Sequence, residues 1–459
     1  MTRFKKELFL AFKTYVFTWL VIAIWFFIRA YTEEISIKNS FSQLAELLTY
    51  KQFVFFIHIL FLVLYVLVLL YRYFKNIAKN KGLKVMFKML ILRCFTPVLL
   101  LYLGVNYILT KNSIDTFKYE WKTTFENTTG SINNLFKEDS KFRGMNVFGW
   151  HRSNKDDIDE LIANNVEWIA VVPFLYQKDE SSKTLTSRFE VGNWTRRDST
   201  FINTINIIKG KGLYAMLKPH IWMTSGWRSN IELNSEGEWN TWFDVYRNAM
   251  LHYATMAELT NVDLLCIGTE LRTSIKNQPD LWIELIKDIR KIYSGKITYA
   301  ANWYDEYEHV AFWKHLDYIG IQGYFPLTEH KTPEISDIIQ GWQKHKNKLQ
   351  EFSKLHNKPI LFTEIGYRSD ASTTIKPWKW NSLENMLTNQ RSTLAQQNAY
   401  EAMFKSLWNE PWFAGCFLWQ WDMRTTKEQS AESFDFSPKH KPAQNIMAKW
   451  YGKYNLLNK

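Results

Sequence analysis

The chain of 459 residues is long enough for one large folded domain and a second region, and its formal net charge of +12 makes it strongly basic. Much of the basic charge flanks apolar runs in the first 110 residues. The rest is scattered along predicted helices, so the charge does not indicate a nucleic-acid partner. Three dispersed cysteines offer no disulfide framework. The sequence has no CxxC, HExxH or glycine-rich phosphate loop, so we expect no metal site and no cofactor.

Residues 1–110 contain three apolar runs with the length and composition of membrane-spanning helices. The middle run, residues 53–71, contains no Asp, Glu, Lys or Arg and is long enough to span the hydrocarbon core as a helix. Residues 14–28 precede it, lengthened by residues 8–12 if the intervening lysine snorkels to the interface. Residues 94–110 form the third run. Buried helices of a water-soluble domain remain the alternative for the first and third runs.

The charges between these runs predict the orientation in the membrane. The second connector has no acidic residue and carries six basic ones: Arg72, Lys75, Lys79, Lys81, Lys84 and Lys88. The first connector mixes both signs, so the positive-inside rule places the second connector and the basic N-terminus in the cytoplasm. No small-residue cleavage site follows the first run. We therefore expect an uncleaved anchor in the lipid bilayer of the cell (inner) membrane, with the rest of the chain on the extracytoplasmic side.

Residues 111–142 are rich in Asn, Ser, Thr and Lys and are predicted to be a polar linker. In residues 143–459, eight short apolar runs alternate with longer amphipathic stretches. The apolar runs are 144–148, 168–175, 214–218, 262–268, 297–301, 318–322, 360–363 and 414–419, and helical patterns between them include 158–165, 241–259, 280–293, 335–355 and 390–407. This alternation predicts an α/β fold, a (β/α)8 TIM barrel preceded by three transmembrane helices. An open doubly wound sheet is the alternative, disfavoured because the first strand is not followed by a glycine-rich turn.

Two glutamates stand where predicted strands end. Glu270 closes the fourth apolar run (VDLLCIGTE), and Glu364 closes the seventh (PILFTE). The C-terminal ends of barrel strands form one crevice, and two carboxyl groups roughly 5–5.5 Å apart are what a retaining glycosidase needs as proton donor and nucleophile. Tyr324, after the sixth strand, is placed to hydrogen-bond the nucleophile and keep it ionised. A single strand that ends in an acid is equally well explained by structure alone, so the prediction depends on the pair.

Sugar rings present apolar C–H faces that stack on aromatic planes, and aromatic and polar residues gather at the predicted strand ends. The candidates for substrate binding are Trp150, His220, Trp222, Arg272, Asn302, Trp303, Trp419 and Trp421. For His220, a structural hydrogen bond near the barrel rim is an equally good interpretation.

Several of these segments resemble the glycoside hydrolases of clan A. They are Gly-Tyr at the sixth strand, FTEIGY at the seventh and Trp-x-Trp at the eighth; GTEL and FTEIGY are most similar to glycoside hydrolase family 113, whose characterised members are β-1,4-mannanases. The resemblance covers about residues 143–459 and implies that Glu270 is the acid/base and Glu364 the nucleophile. Most of the clan has Asn directly before the acid/base, contacting the substrate 2-hydroxyl, whereas this chain has Thr269. Asn302 is a candidate to supply the missing amide.

We therefore expect a membrane-anchored retaining β-glycosidase that acts on β-1,4-mannan or manno-oligosaccharides without a cofactor. The same mechanism on another β-glycan or an envelope polysaccharide is one alternative. A non-catalytic glycan-binding barrel is the other, and the presence of both carboxylates disfavours it.

Overall fold

The computed structural model describes residues 3–32, 41, 44–45, 47–49, 51–115, 117–118, 125–150, 155–186, 196–380 and 382–452. The chain divides into two compact units, Met1–Tyr107 and Ile108–Lys459.

The N-terminal unit consists of long apolar helices. Its helices are α1 (Arg3–Thr32), α2 (Lys51–Lys81), α3 (Leu83–Leu90) and α4 (Thr96–Ser113), with a π-helical turn at Ile91–Phe95 joining the last two and α4 running on into the second unit. Three stretches, Phe4–Arg29, Phe53–Lys81 and Leu83–Ser113, are long and apolar enough to cross a membrane. Most of their large apolar side chains are exposed, which is typical of helices that face lipid.

The second unit is built on a closed barrel of eight parallel strands. In chain order they are β1 (Phe142–Phe148), β2 (Trp168–Val171), β5 (Tyr214–Leu217), β7 (Leu264–Thr269), β8 (Lys296–Asn302), β9 (Ile319–Gln322), β10 (Ile360–Ile365) and β11 (Phe413–Asp422). Each strand pairs with its neighbour in this order, and β11 closes the barrel against β1. All eight predicted strands are present, so the predicted (β/α)8 fold is confirmed.

Two prolines separate barrel strands from the strands of a second small sheet. The apolar run of residues 168–175 is interrupted before Pro173, after which the chain resumes as β3 (Phe174–Gln177). Pro219 separates β5 from β6 (His220–Met223) in the same way, since proline has no N–H to donate to a ladder. Strands β3 and β6 pair in parallel, and β4 (Leu185–Thr186) joins β3. This sheet extends the barrel wall beyond the ends of β2 and β5.

Helices cover the barrel, and their bounds lie close to the predicted ones. They are α6 (Lys155–Ala163), α7 (Arg196–Gly210), α8 (Glu236–Leu259), α9 (Arg272–Asn277), α10 (Pro279–Ile292), α11 (Ile335–His356), α12 (Leu383–Thr388), α13 (Thr393–Leu407), α14 (Lys427–Glu432) and α15 (Pro442–Tyr451), after the short α5 (Phe136–Asp139). Alternate strand residues, including Met216, Leu264 and Cys266, form one buried apolar cluster, as the barrel interior requires.

Part of the predicted linker packs on the barrel. The Asn112 side-chain amide donates hydrogen bonds to the carbonyls of Met386 and Leu387, at 2.9 and 3.0 Å. Further along, the buried Glu167 carboxylate accepts a hydrogen bond from the Leu135 amide. Residues 116 and 119–124 of the predicted linker lie outside the described residues.

Candidate active site

The strand C-termini open into one cleft of about 1650 Å³. Most of the predicted site residues line it: Glu270, Glu364, Tyr324, Trp150, His220, Trp222, Asn302, Trp303 and Trp419. This position is the usual one for the active site of a (β/α)8 barrel, because the loops that follow the strands all meet there.

The backbone of Glu270 is strained and firmly held. Its φ is +53°, a left-handed value that non-glycine residues seldom adopt. The Glu270 amide donates to the Ala300 carbonyl at 2.9 Å, and the Ser229 hydroxyl donates to the Glu270 carbonyl at 2.8 Å. The next amide, that of Leu271, donates to the Tyr299 hydroxyl at 2.7 Å. These bonds fix the direction in which the Glu270 side chain leaves the strand end.

The Glu270 carboxylate has two hydrogen-bond partners in the cleft. The Arg228 guanidinium donates to Oε2 at 2.6 Å, and the Asn302 amide donates to Oε1 at 3.1 Å. Glu270 is only 6% exposed. Burial raises its pKa above the ordinary value and the charge of Glu364 raises it further, although Arg228 and Lys218 act in the opposite direction. A raised pKa is the property that a general acid needs near neutral pH.

Glu364, the penultimate residue of β10, is surrounded by donors. The Lys218 ammonium lies 2.5 Å from Oε1, and the Tyr324 hydroxyl donates to Oε2 at 3.2 Å. The Gln322 amide also faces this carboxylate; with its nitrogen turned toward it, Nε2 lies 3.1 and 2.5 Å from the two oxygens. Burial and the charge of Glu364 raise the pKa of Tyr324 well above 10, so the hydroxyl keeps its proton and acts as a donor. Three donors therefore converge on this one buried carboxylate.

His220 lies beside the same carboxylate as a neutral ring. Its Nε2 is 3.5 Å from Glu364 Oε1. Burial lowers the pKa of His220 well below 6.5, and the positive charges of Lys218 and Arg228 lower it further. The imidazole stacks nearly parallel to the Trp419 indole, with ring centroids 6.4 Å apart and planes inclined by 5°.

Aromatic side chains form the walls of the cleft. Trp222 is 56% exposed, and its face is free to stack on a ligand ring. On the opposite side Trp378 packs against Trp303 with centroids 5.1 Å apart, and Trp380 contacts Trp419 edge-on at 6.1 Å. Such walls suit the apolar faces of sugar rings.

Three predicted substrate-binding residues do not line the cleft. Trp421 is fully buried in the main apolar core of the barrel and does not line the cleft. Thr269 is buried behind the strand end. Arg272 is not among the lining residues and donates to Asn230 Oδ1 at 3.0 Å.

Other cleft residues were not assigned from the sequence. Arg228 comes from a short 3-10 turn after β6, and Trp378 and Trp380 come from the loop after β10. Within the described residues, no group of His, Cys, Asp and Glu is arranged to hold a metal ion.

A pair of buried glutamates at two strand ends, inside an aromatic cleft of a (β/α)8 barrel, defines a glycoside hydrolase. The sequence matches Glycoside Hydrolase Family 113 over residues 145–441, which is more than half of the chain, and the chain belongs to that family.

Solved structures of β-mannanases are similar to this chain. A GH113 β-1,4-mannanase has 25% sequence identity and a TM-score of 0.59, over 68% of this chain and 99% of that one. The GH113 β-mannanase AaManA from Alicyclobacillus acidocaldarius, in complex with ManMIm, has the same identity and TM-score over 68% and 97% of the two chains. A search of curated proteins found no match.

Proposed function

We propose that this protein is a retaining β-glycosidase that hydrolyses β-1,4-mannan or manno-oligosaccharides. The observation that carries the proposal is the contrast between the two carboxyl groups. Burial and a neighbouring negative charge favour the proton on Glu270. Lys218 and Tyr324 instead donate hydrogen bonds to the two oxygens of Glu364. A carboxyl group whose pKa is raised by burial, facing a second one whose oxygens are held by hydrogen-bond donors, is the arrangement of an acid and a nucleophile.

In the first step, a Glu364 oxygen attacks the anomeric carbon of the sugar. The glycosidic C–O bond breaks, and Glu270 gives its proton to the departing oxygen, leaving a covalent glycosyl ester on Glu364 and a carboxylate on Glu270. The Tyr324 hydroxyl and the Lys218 ammonium orient Glu364 for the attack. Arg228 then faces the newly formed Glu270 carboxylate at its Oε2 and stabilises the charge.

In the second step, Glu270 acts as a base. It takes a proton from water while the water oxygen attacks the anomeric carbon, the ester bond to Glu364 breaks, and Glu364 leaves as a carboxylate. Two inversions give net retention. The step consumes water alone, so the cycle is complete without a cofactor.

Mannan is favoured as the substrate by the family and by the similar mannanase structures. One observation keeps another β-glycan as a second candidate. Thr269 is buried outside the cleft lining, and the Asn302 amide is already bonded to Glu270. Thr269 is therefore not placed to contact the 2-hydroxyl, the position at which mannose and glucose differ, and Asn302 has one side-chain N–H left to do so.

We further propose that the three apolar helices anchor the chain in the cell membrane. Their length and composition support this role. The basic connector around Lys79 and Lys84 favours a cytoplasmic position for that connector and an extracytoplasmic position for the barrel. Single cysteines at Lys79 and at exposed Lys376, labelled with a membrane-impermeant maleimide in whole cells, test the orientation. Labelling at position 376 alone would support an extracytoplasmic barrel. Labelling at position 79 alone would mean that the orientation is the opposite one.

The activity is tested with the full chain in detergent, incubated with β-1,4-linked manno-, gluco- and xylo-oligosaccharides. Glu364→Ala is the inactive variant, and Glu401→Gln, a buried glutamate bonded to the Trp450 indole outside the cleft, is the matched control. We expect cleavage of the manno series by the wild type and the control only. Cleavage of another series alone would replace mannan as the proposed substrate. The absence of cleavage in every series would reject the proposed glycosidase activity.

A further inference from the structure

Glu306 is a fully buried glutamate behind the cleft that does not line it. It lies in the turn after β8, and both of its oxygens accept hydrogen bonds. The Tyr299 hydroxyl donates to Oε1 at 2.5 Å, and the Asn302 backbone amide donates to Oε2 at 2.9 Å. Burying a carboxyl group is costly unless such partners compensate, so its presence here needs a reason.

Both hydrogen-bond partners of Glu306 are themselves hydrogen-bonded to Glu270 or to the peptide that follows it. Through Tyr299, the first path reaches the Leu271 amide, the peptide that directly follows Glu270, at 2.7 Å. Through Asn302, the second path reaches Glu270 Oε1, to which the Asn302 side-chain amide donates at 3.1 Å. One path therefore ends on the backbone of Glu270 and the other on its carboxyl group.

The two paths are rigid. The Tyr299 ring is enclosed by Trp282 and Phe312, with centroids 5.4 and 5.6 Å away. Asn302 is the last residue of β8, and its backbone amide is held by Glu306 itself. Burial raises the pKa of Glu306 to about 8, although the hydrogen bonds from Tyr299 and Asn302 lower it, and the charge of Glu270 raises it further.

We infer that Glu306 is a positioning residue for Glu270: it fixes the strained backbone of Glu270 through Tyr299 and its carboxyl group through Asn302. The inference rests on the proposed function. Glu306 itself touches neither the sugar nor the reacting atoms.

The role concerns proton transfer and not nucleophilic attack. A general acid must lie within hydrogen-bond reach of the leaving oxygen, whereas Glu364 is held by a different set of residues, Lys218 and Tyr324. Loss of Glu306 therefore slows cleavage when the leaving group needs a proton. It leaves cleavage unchanged when the leaving group departs without one.

The test compares two substrates with the full chain in detergent. One is a β-1,4-manno-oligosaccharide, whose leaving group needs protonation. The other is 2,4-dinitrophenyl β-mannoside, whose leaving group does not. The variants are Glu306→Gln and Tyr299→Phe, and kcat/KM reports the first chemical step for both substrates. Glu401→Gln and Tyr293→Phe are matched controls, because Glu401 and Tyr293 are buried and hydrogen-bonded away from Glu270.

We expect both variants to lose at least about tenfold in kcat/KM on the oligosaccharide and to stay within about twofold on the dinitrophenyl substrate. The controls should match the wild type on both. Equal losses on the two substrates, or no loss on either, overturn the inference. If Glu306→Gln does not fold, as judged by its thermal transition, Tyr299→Phe decides alone. A wild type inactive on both substrates instead rejects the proposed function, and the inference falls with it.

Discussion

The Lys218 ammonium lies 2.5 Å from the Glu364 carboxylate, and both side chains are almost completely buried. An ion pair in this position is a weak source of net stability, but removing one partner leaves an uncompensated charge in a low-dielectric site.

Lys218→Met should therefore both destabilise the barrel and inactivate it. We expect a loss of about 3–5 kcal/mol in the free energy of unfolding, because Glu364 is left unpaired. The double variant Lys218→Met/Glu364→Gln should recover part of that loss, since it removes the remaining charge. Chemical denaturation in detergent measures both. Lys209→Met is the control, since Lys209 pairs with Asp263 at a more exposed position. A double variant less stable than Lys218→Met would contradict this account of the pair.

Arg228→Met should shift the alkaline limb of the pH profile of kcat/KM to higher pH. The acid works while Glu270 is protonated, so activity is present below the pKa of Glu270 and is lost as the pH rises through it. Arg228 lowers that pKa. Its removal should therefore shift the limb to higher pH. The measurement is kcat/KM against pH, with the half-buried Arg247, paired with Glu284, changed to Met as a control. An alkaline limb that shifts to lower pH would mean that the ionisation of another group controls the loss of activity.

Azide should distinguish the roles of the two glutamates. In Glu270→Ala, an activated substrate still forms the glycosyl ester, and azide replaces the water that the missing base cannot activate. The expected product is a β-glycosyl azide, formed with an increased rate. In Glu364→Ala, azide attacks the substrate directly and should give the α-azide. NMR of the products identifies each anomer. Exchange of the two outcomes between the variants would reverse the assigned roles.

Asn112→Ala should weaken the attachment of the end of α4 to the barrel. The change removes the two hydrogen bonds to the Met386 and Leu387 carbonyls, at an expected cost of about 1 kcal/mol because the site is only partly buried. Thermal unfolding of the full chain measures the loss. Ser113→Ala is the control, since Ser113 bonds only within its own helix. Equal transition temperatures for the two variants would show that the Asn112 contact contributes nothing.

The sequence predicts the barrel well because each of its strands is a short apolar run bounded by polar residues. It does not predict that the chain resumes after Pro173 and after Pro219 as strands that pair in the sheet of β3, β4 and β6. The prolines are visible in the sequence, but the pairing of β3 with β6 depends on the tertiary arrangement.

Among the residues of the active site, too, some are predictable from the sequence and others are not. Glu270 and Glu364 are predictable because strand ends mark them, whereas Arg228 lies on a loop with no periodic pattern. Alternation along a regular strand would place Trp421 on the same side as Trp419, whereas the structure buries Trp421 in the core. The register of β1 and β11 instead shifts at this point, pairing Asn146 with Trp419 and Val147 with Trp421. A bulge of this kind reverses the side that later residues face.

The stereochemistry of hydrolysis tests the central claim most directly. The full chain in detergent is mixed with reduced β-1,4-manno-oligosaccharides, and proton NMR follows the anomeric signals before mutarotation mixes them. The two-glutamate mechanism predicts that the β-anomer appears first and that Glu364→Ala gives no product. Initial release of the α-anomer would contradict a covalent intermediate on Glu364, because it would require direct attack by water.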